Sequence, residues 1–441
     1  MPKATPAFLC FSFALIMSHC AFSQPLLSHA EALATALRNN YGILLAKTDS
    51  VGGAIDASYT YGAFLPQVNA TLGTVWNNTT QEQKFQDGSQ RGPNNVKSNN
   101  LAGSLNLNWV LFDGLRMFAT KERVEEMARL GSLSIKNQVV NTVAEVTNTY
   151  YQIVREKQQL KAIEEQMAVS EERVKVADRK LSTGLGSKPE LLQAQVDLNA
   201  QKSSQLKQQT LIDQLKEQLN QLCGMGLPEE FMVEEEIPFD PNLQLENIRD
   251  NLTATNPSLL LAERNIGIAQ LTLKEQKAGR YPTVSFNAAY NYNRNDNQTV
   301  VNPFQPLVSR SNGFNYGFTA NIPILNNRLV ERNIEQANLD IAYLQLAYAD
   351  QKSQIDANLE NTYRDYAYQK QALQLEEENI ELAKENVAIA LERFRAGVST
   401  YLELREAQKS LEDAYNRLIA ARYNAKVAET ELLRLKGELV R

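Results

Sequence analysis

The sequence predicts a mixed α+β membrane protein in which one plan, helix–strand–strand–long helix–helix, is present twice. Three observations predict it: an internal tandem duplication, four uncharged strands long enough to span a bilayer, and two proline-free stretches of nearly 70 residues. The 441 residues exceed one ordinary domain. The net charge of −6 argues against nucleic acid as a partner, because phosphate binding needs basic clusters.

The first 23 residues have the features of a secretory signal peptide. A basic residue precedes an apolar core over positions 7–17, which is too short to span a bilayer as a helix. Small residues at Ala21 and Ser23 suit a signal peptidase, so we expect the mature chain to begin at Gln24. A lipidated Cys20 is the alternative, although the bulky His19 before it disfavours acylation.

The mature chain contains few residues that carry chemistry. It holds one cysteine, Cys223, and one histidine, His29, which excludes a disulfide framework and argues against a Cys/His metal site. We find no phosphate-binding glycine loop, no nucleophile elbow and no HExxH motif. The sequence therefore predicts no enzymatic activity and no cofactor.

The duplication is the most informative feature of the sequence. Asn40 and Asn256 lie 216 residues apart, as do Pro66 and Pro282. Later landmarks are offset by 213: the segment NWVLFDG faces NIPILNN, and STGLGSKPELLQAQ faces RAGVSTYLELREAQ. The difference of three residues falls within the strand pairs, so the long stretch that follows them has equal length in both halves.

The duplication divides the mature chain into three parts. We assign residues 24–223 to a first repeat and residues 251–441 to a second. Between them, residues 224–250 form an acidic, proline-containing linker for which we predict no regular structure.

Each repeat contains one strand pair, over residues 66–112 and 282–323. In the four predicted strands, alternate residues are apolar or aromatic, and the residues between them are mostly Asn, Ser, Thr and Gly. A soluble sheet with one wet face is the alternative, but such faces usually carry Lys, Glu and Arg. We assign the following residues to the lipid-facing side: Trp76, Leu105, Leu107, Trp109, Phe286, Tyr290, Phe314 and Phe318. The intervening segments, about 77–100 and 295–313, are predicted to be long polar loops.

Four strands cannot close a barrel, and an open edge in lipid leaves backbone groups unpaired. Closure must therefore come from further copies of the chain. Two copies supply eight strands with a filled interior, and three supply twelve with a lumen.

Two proline-free stretches, 115–180 and 328–394, predict helices of about 100 Å. Apolar residues recur along the second in steps of three and four, as in a coiled coil. Shorter helices over about 29–62 and 189–222 would match one long helix when stacked end to end.

This layout resembles the outer-membrane efflux family typified by TolC. The residues that carry the resemblance are the duplicated segments GLGSKPELLQAQ and GVSTYLELREAQ, the strand exits VLFDG and PILNN, and the helix start LSHAEALATALRNN. The resemblance implies a homotrimer with a twelve-stranded β-barrel in the outer membrane, continued across the periplasm by an α-helical coiled-coil barrel. It also implies two partners, a periplasmic adaptor (membrane fusion protein) and an inner-membrane transporter.

The resemblance implies that two helical tip turns, residues 182–188 and 395–400, contact the adaptor. Gly184 and Gly397 permit the sharp reversals, and Leu185 and Val398 would offer small apolar contacts. An ordinary turn of a helical hairpin is the alternative for both glycines.

The resemblance further implies an acidic ring around the periplasmic entrance, formed by Glu403, Glu406 and Glu190. Glu403 and Glu406 are three residues apart and therefore share a helix face. The alternative is that these carboxylates favour the positive end of a helix dipole. No arginine follows the second tip glycine directly, so Arg393 and Arg405 are the candidate partners of this ring.

The sequence thus predicts a passive export duct in the outer membrane, part of a tripartite efflux or type I secretion system. The alternative is a periplasmic or surface coiled-coil protein, structural or adaptor, without a pore. The sequence does not identify the cargo.

Overall fold

The structure is a computed structural model that describes residues 25–228, 230–302 and 304–439. The predicted signal peptide and Cys20 lie outside the described residues.

The order of elements repeats once along the chain. The elements are β1 (Leu26–Leu27), α1 (His29–Asn39), α2 (Tyr41–Tyr59), β2 (Gln67–Lys84), β3 (Gln90–Phe112), α3 (Arg116–Ser182), α4 (Lys188–Leu222), β4 (Met232–Val233), α5 (Leu245–Arg249), α6 (Leu252–Thr255), α7 (Pro257–Ala278), β5 (Thr283–Asn297), β6 (Val308–Asn321), α8 (Leu329–Arg395) and α9 (Tyr401–Lys436), with a short 3-10 helix over Thr60–Phe64. The internal duplication is therefore visible in the fold as well as in the sequence.

The two long helices, α3 and α8, have 67 residues each, which corresponds to about 100 Å. Each begins after two residues with positive φ: Gly114 and Leu115 in the first half, Asn327 and Arg328 in the second. Gly114 also has no room for a side chain, since a Cβ there would lie 2.4 Å from the carbonyl oxygen of Ala278. In the described ranges, none of the helices combines the length and the apolarity needed to cross a bilayer.

The shorter helices meet end to end through a duplicated asparagine. The side chain of Asn40 accepts a hydrogen bond from the backbone of Ile43 and donates one to the carbonyl of Leu222. Asn256 makes the same two bonds in the second half, to Leu259 and Leu435. Asn40 thereby ends α1 and begins α2, so the single helix predicted over residues 29–62 is wrong, whereas the end-to-end stacking is confirmed.

The helices form a layered array with two outer edges. Both α2 and α4 pack along α3, and both α7 and α9 pack between α3 and α8. The pair α2/α4 and the helix α8 therefore lie at opposite edges of the array. The predicted seam of α8 faces its neighbours, with Ile334, Leu359, Ile380 and Phe394 buried.

The four long strands form one antiparallel sheet in the order β2–β3–β5–β6. The strands are longer than predicted. The long polar loop predicted at 77–100 is wrong, whereas the loop predicted at 295–313 is present but shorter, because β5 ends at Asn297 and β6 begins at Val308. The backbone ladder continues from Asn77, opposite Ser98, to Lys84, opposite Gln90. Polar side chains do not prevent pairing there, because the ladder is made by backbone groups.

A bulge interrupts β3 beside the helices. Val110 faces Ser285 and Phe112 faces Val284, so Leu111 is the extra residue. Phe112, and not Leu111 as strict alternation predicts, takes the position on the apolar face. Strand β6 ends at Asn321, two residues before Pro323, which has no backbone donor to offer a ladder.

The linker between the repeats is part of the core, so the prediction of no regular structure for residues 224–250 is only partly correct. It contains β4, which pairs with β1, and the short helix α5. Phe231 and Ile248 are fully buried in it. The hydroxyl of Tyr150 donates to the carbonyl of Leu27 and accepts from the amide of Glu234.

His29 provides a test of this N-terminal packing. Its Nε2 lies 3.0 Å from the hydroxyl of Thr147, and its ring contacts Tyr150 and Tyr151. Burial, aided by the charge of Lys426, lowers the pKa of His29 to about 4. The folded state therefore binds fewer protons than the unfolded state between this pKa and the usual value near 6.5.

We expect the wild-type protein to lose stability as the pH falls from 7 to 5, with His29 contributing at most about 2 kcal/mol of that loss. A His29→Gln variant, which has no group that titrates there, should lose less. Apparent melting temperatures of both proteins at the two pH values check this. Equal losses in the two proteins would contradict it.

Candidate functional site

One face of the sheet carries all the residues that the sequence assigns to lipid. We call residues that directly face one another across the four strands a row. Leu105, Tyr290 and Phe314 lie in one row, and Trp109, Phe286 and Phe318 lie in another. Leu107 and Trp76 follow on the same face at register positions an even number of residues away. The exposed aromatic and aliphatic side chains thus form one continuous band, which we call the apolar band.

The apolar band crosses the strands obliquely. Its last apolar residue away from the helices is Trp76 on β2, Leu101 on β3, Tyr292 on β5 and Phe314 on β6. Each boundary residue lies one row nearer the helices than the boundary residue on the strand before it. For example, Leu101 faces Thr74, which lies one row nearer the helices than Trp76. The boundary beside the helices moves in the same direction.

This slope defines the tilt of the strands relative to the band. One row is two residues, about 6.7 Å along a strand, and neighbouring strands are about 4.8 Å apart. The strands therefore cross the band at about 54° from its normal. At the helix end of the band, the indole nitrogen of Trp109 donates a hydrogen bond to the carbonyl of Phe64.

The other face of the sheet is polar and has no charged side chain beside the apolar band. Its side chains bond to one another across strands: Asn287 donates to Thr319, and Asn291 donates to Asn315. The hydroxyls of Thr71 and Ser104 lie 3.0 Å apart. A sheet with an exposed apolar face and a neutral hydrogen-bonding face suits a position between lipid and water.

The two helical tips, residues 183–187 and 396–400, are built alike. Gly184 and Gly397 have φ near +74°, and the next residue donates its amide to a carbonyl five positions earlier, Lys180 or Arg393. This is the Schellman arrangement, in which the residue after the glycine commonly packs an apolar side chain on the helix. Here it does not.

The residues after the tip glycines point away from the helices that they follow. Leu185 is 83% exposed and Val398 is 68% exposed. A Cβ at either glycine would meet nothing within 4 Å, so the tips have open space around them. Each tip therefore presents a small, solvent-exposed apolar side chain.

The acidic candidates occupy two different places. Glu403 and Glu406 line one open groove of about 500 Å³ between α8 and α9, together with Arg393 and Ser399. The hydroxyl of Ser399 donates to the Glu403 carboxylate at 2.7 Å, and Arg393 lies 3.9 Å from it. Glu190 lies on the first turn of α4, in the other hairpin, and does not line this groove.

A buried polar network joins the two hairpins above the tips. Arg173 of α3 is 2% exposed and donates to Asp197 of α4 and to Gln408 of α9. The Tyr401 hydroxyl of α9 donates to the same Asp197 oxygen at 2.7 Å, and Arg405 lies 3.8 Å from it. Asp197 is therefore the acceptor through which three helices are connected.

The protonation states favour this network at neutral pH. Burial raises the pKa of Asp197, but hydrogen bonds from Tyr401 and Gln193 and the charges of Arg173 and Arg405 outweigh it, so the pKa is lowered. Burial and the bond to Asp197 raise the pKa of Tyr401 to about 12. The contribution of Asp197 to stability is therefore complete above the unfolded pKa near 4, and is lost as the pH falls through the lower folded value.

Sequence reasoning did not identify Arg173, Asp197 or Tyr401. Of this network it named only Arg405, as a partner for the acidic ring, whereas Arg405 lies beside Asp197. The sequence separation explains the omission, since Arg173 and Gln408 are 235 residues apart.

An amphipathic, open-edged sheet continued by helices of about 100 Å is the architecture of a channel subunit. The model of the outer membrane efflux protein family matches residues 56–225 and 248–438, once in each repeat. The chain belongs to this family. It is an outer-membrane efflux channel by family and not a member of an enzyme class. No curated relative matches the chain.

Solved structures share the fold at low sequence identity. The outer-membrane channel OprN is 17% identical with a TM-score of 0.75, covering 93% of this chain and 90% of its own. The outer membrane protein VceC from Vibrio cholerae is 14% identical with a TM-score of 0.72, covering 93% and 96%. The outer membrane channel CmeC of Campylobacter jejuni is 15% identical with a TM-score of 0.74, covering 93% and 85%.

Asp197→Asn should loosen the contact between the hairpins, because it leaves the buried Arg173 without a countercharge at a cost of about 3 kcal/mol. We expect amide hydrogen exchange over residues 397–410 to rise more than tenfold, with exchange near Tyr150 unchanged. The matched control is Asp213→Asn. Asp213 is exposed on the same helix and accepts from Gln209, as Asp197 does from Gln193. Equal exchange in the two variants would exclude a connecting role for Asp197.

Proposed function

We propose that three copies of this chain form a passive export duct of a tripartite efflux or type I secretion system. Twelve strands close a β-barrel in the outer membrane, and the helices continue it as a tunnel through the periplasm. A periplasmic adaptor and an inner-membrane transporter dock at the helical tips and supply the energy for export.

The apolar band is the observation that carries this proposal. It is exposed and uncharged, and the strands are tilted by about 54° from its normal, somewhat more than the roughly 35–45° that is typical of membrane barrels. The sheet ends in two edge strands, β2 and β6, whose outer backbone groups need partners in lipid. The edge strand of a second copy supplies these partners without the formation of any new strand.

The helical array supports the same assembly. The outer edge of α8 exposes a stripe at heptad spacing: Tyr368, Leu375, Leu382 and Ile389. The opposite edge of the array exposes Leu192, Val196 and Leu206 of α4, with Leu45 and Ile55 of α2. Two different apolar edges form a head-to-tail interface, which closes into a ring.

Three copies suit the neutral polar face better than two. Eight strands enclose an interior that side chains fill, whereas twelve leave a lumen for water. The trimer is also the assembly that membership of the family implies.

The tips suit contact with a partner and control of the opening. Leu185 and Val398 are apolar side chains held in solvent by turns that usually bury them. In a trimer, Glu403 and Glu406 supply six carboxylates around one opening, and the Asp197 network holds each hairpin pair closed. Opening requires the α8/α9 hairpin to move away from Asp197.

Extraction from membranes separates this proposal from a coiled-coil protein without a pore. We expect the protein to require detergent for extraction and to migrate as a trimer that heating dissociates. A protein that is monomeric and freely soluble without detergent would overturn the proposed function.

Replacing Glu403 and Glu406 with alanine should raise single-channel conductance in a planar bilayer, because fewer charges and smaller side chains then surround the opening. The control is Glu378→Ala with Glu385→Ala, which removes the same charge from exposed positions of α8 farther from the tip. A conductance equal to that of the control would show that Glu403 and Glu406 are not part of the gate.

Replacing Leu185 and Val398 with Asp should abolish export while trimers still assemble, because charged side chains there disfavour an apolar contact with the adaptor. Export of a reporter substrate in cells and trimer content in membranes measure the two effects. The control is Met225→Asp, since Met225 is also an apolar turn residue and is 63% exposed. Normal export with both tips changed would end the adaptor assignment.

A further inference from the structure

We infer the register in which β6 of one copy pairs with β2 of the next: Phe318 faces Thr74, and Arg310 faces Glu82. This inference rests on the proposed function, because it requires copies that close a barrel. It specifies an interface between copies residue by residue.

The first step is that the duplication preserves strand register. Residues of β2 correspond to residues of β5 at an offset of 216, and residues of β3 to those of β6 at 213. In the first hairpin Gln67 faces Asn108, and these offsets convert the pair to Thr283 facing Asn321. Thr283 does face Asn321 in the second hairpin. The two hairpins are therefore equivalent in pairing as well as in sequence position.

The second step extends this equivalence to the edges. Within the chain, β3 of the first hairpin pairs with β5 of the second, and Leu105 faces Tyr290. In a ring of copies, β6 of the second hairpin meets β2 of the next first hairpin, which is the equivalent junction. The same offsets convert Leu105 to Phe318 and Tyr290 to Thr74.

The slope of the apolar band leads to the same register independently. Across each of the three junctions inside the chain, the band boundary moves one row toward the helices. If the fourth junction continues this step, Trp76 of the next copy faces the residue of β6 that lies one row nearer the helices than Phe314. That residue is Tyr316. In an antiparallel pair, Trp76 opposite Tyr316 places Thr74 opposite Phe318. A band that follows a flat membrane around a closed ring requires such a regular step.

The chemistry of the paired residues supports this register. Arg310 is exposed on β6 and faces Arg294 of β5, which is paired with Asp296. In the described part of the chain, the side chain of Arg310 itself has no hydrogen-bond or ion-pair partner. Glu82 on β2 is likewise exposed and without a partner there. The inferred register places these opposite charges directly across the junction, beyond the apolar band. Opposite charges facing across strands stabilise a sheet, and like charges destabilise it.

The polar face is also matched. Asn77 faces Asn315, and Val75 faces Gly317, which leaves room for the larger side chain. A slip of two residues in one direction would place Glu82 opposite Asn312 and Arg310 opposite Lys84, which carries the same charge. A slip in the other direction would place Glu82 opposite Val308 and Arg310 opposite Thr80.

Cysteine cross-linking of the membrane-assembled protein tests the register. In a Cys223→Ala background, Asn77→Cys with Asn315→Cys should form covalent dimers and trimers on mild oxidation. The matched slipped pair is Asn77→Cys with Gly317→Cys, two residues out of register. We expect at least tenfold more cross-linked product from the first pair than from the second.

The outcomes separate this inference from the proposed function. Stronger cross-linking of the slipped pair, or no cross-linking by either pair in a protein that migrates as a trimer, would overturn the register alone. A protein that is monomeric in detergent would overturn both.

A charge exchange provides the second measurement. Glu82→Lys should lower the temperature at which the trimer dissociates on a gel, because it places Lys opposite Arg310. Adding Arg310→Glu should restore that temperature by more than Arg310→Glu raises it in the wild-type background, where the change acts only on the facing Arg294 and Glu82. Absence of restoration would count against the pairing of these two residues even if trimers form.

Discussion

The structure depends on the pairing of backbone groups at the two edges of its sheet. Strands β2 and β6 each present one row of amide and carbonyl groups next to an uncharged apolar band. In lipid each unpaired group costs several kcal/mol, and no side chain of the band can satisfy it. The sheet therefore has a stable place in a membrane only when another strand covers each edge. The oblique band and the apolar outer edges of the helical array follow from this requirement.

The duplication makes one chain suitable for such a ring. Equivalent hairpins, equivalent asparagine junctions at Asn40 and Asn256, and two helices of 67 residues give the two halves nearly the same shape. A ring of three copies then contains six similar units, so every junction between hairpins resembles every other. The halves differ where the chain leaves the sheet, since β3 has a bulge at Leu111 and β6 ends before Pro323.

The contacts that hold the long helices together differ between the linker and the tips. The linker between the repeats packs Phe231 and Ile248 into apolar clusters that hold the long helices in position. Nearer the tips the hairpins are connected by the polar contacts around Asp197 and by a small apolar cluster of Val176, Phe394 and Leu404. Polar contacts of this kind can be exchanged for others or for water, whereas an apolar cluster cannot be opened without exposing its surface. The apolar cluster near the tips is much smaller than the cluster that contains Phe231, so we expect motion at the tips and not at the linker.

The sequence alone determined the plan of the fold, because alternation along strands, proline-free length and duplication are local or regularly spaced signals. The apolar face, the tip glycines and the equal long helices all follow from such signals. The sequence did not determine the extra length of the strands, the bulge at Leu111 or the helix break after Asn39, which depend on backbone pairing and on a hydrogen bond to Leu222. Nor did it show the slope of the band or the Asp197 network. Both arise from residues hundreds of positions apart, and only the tertiary structure brings those residues into register.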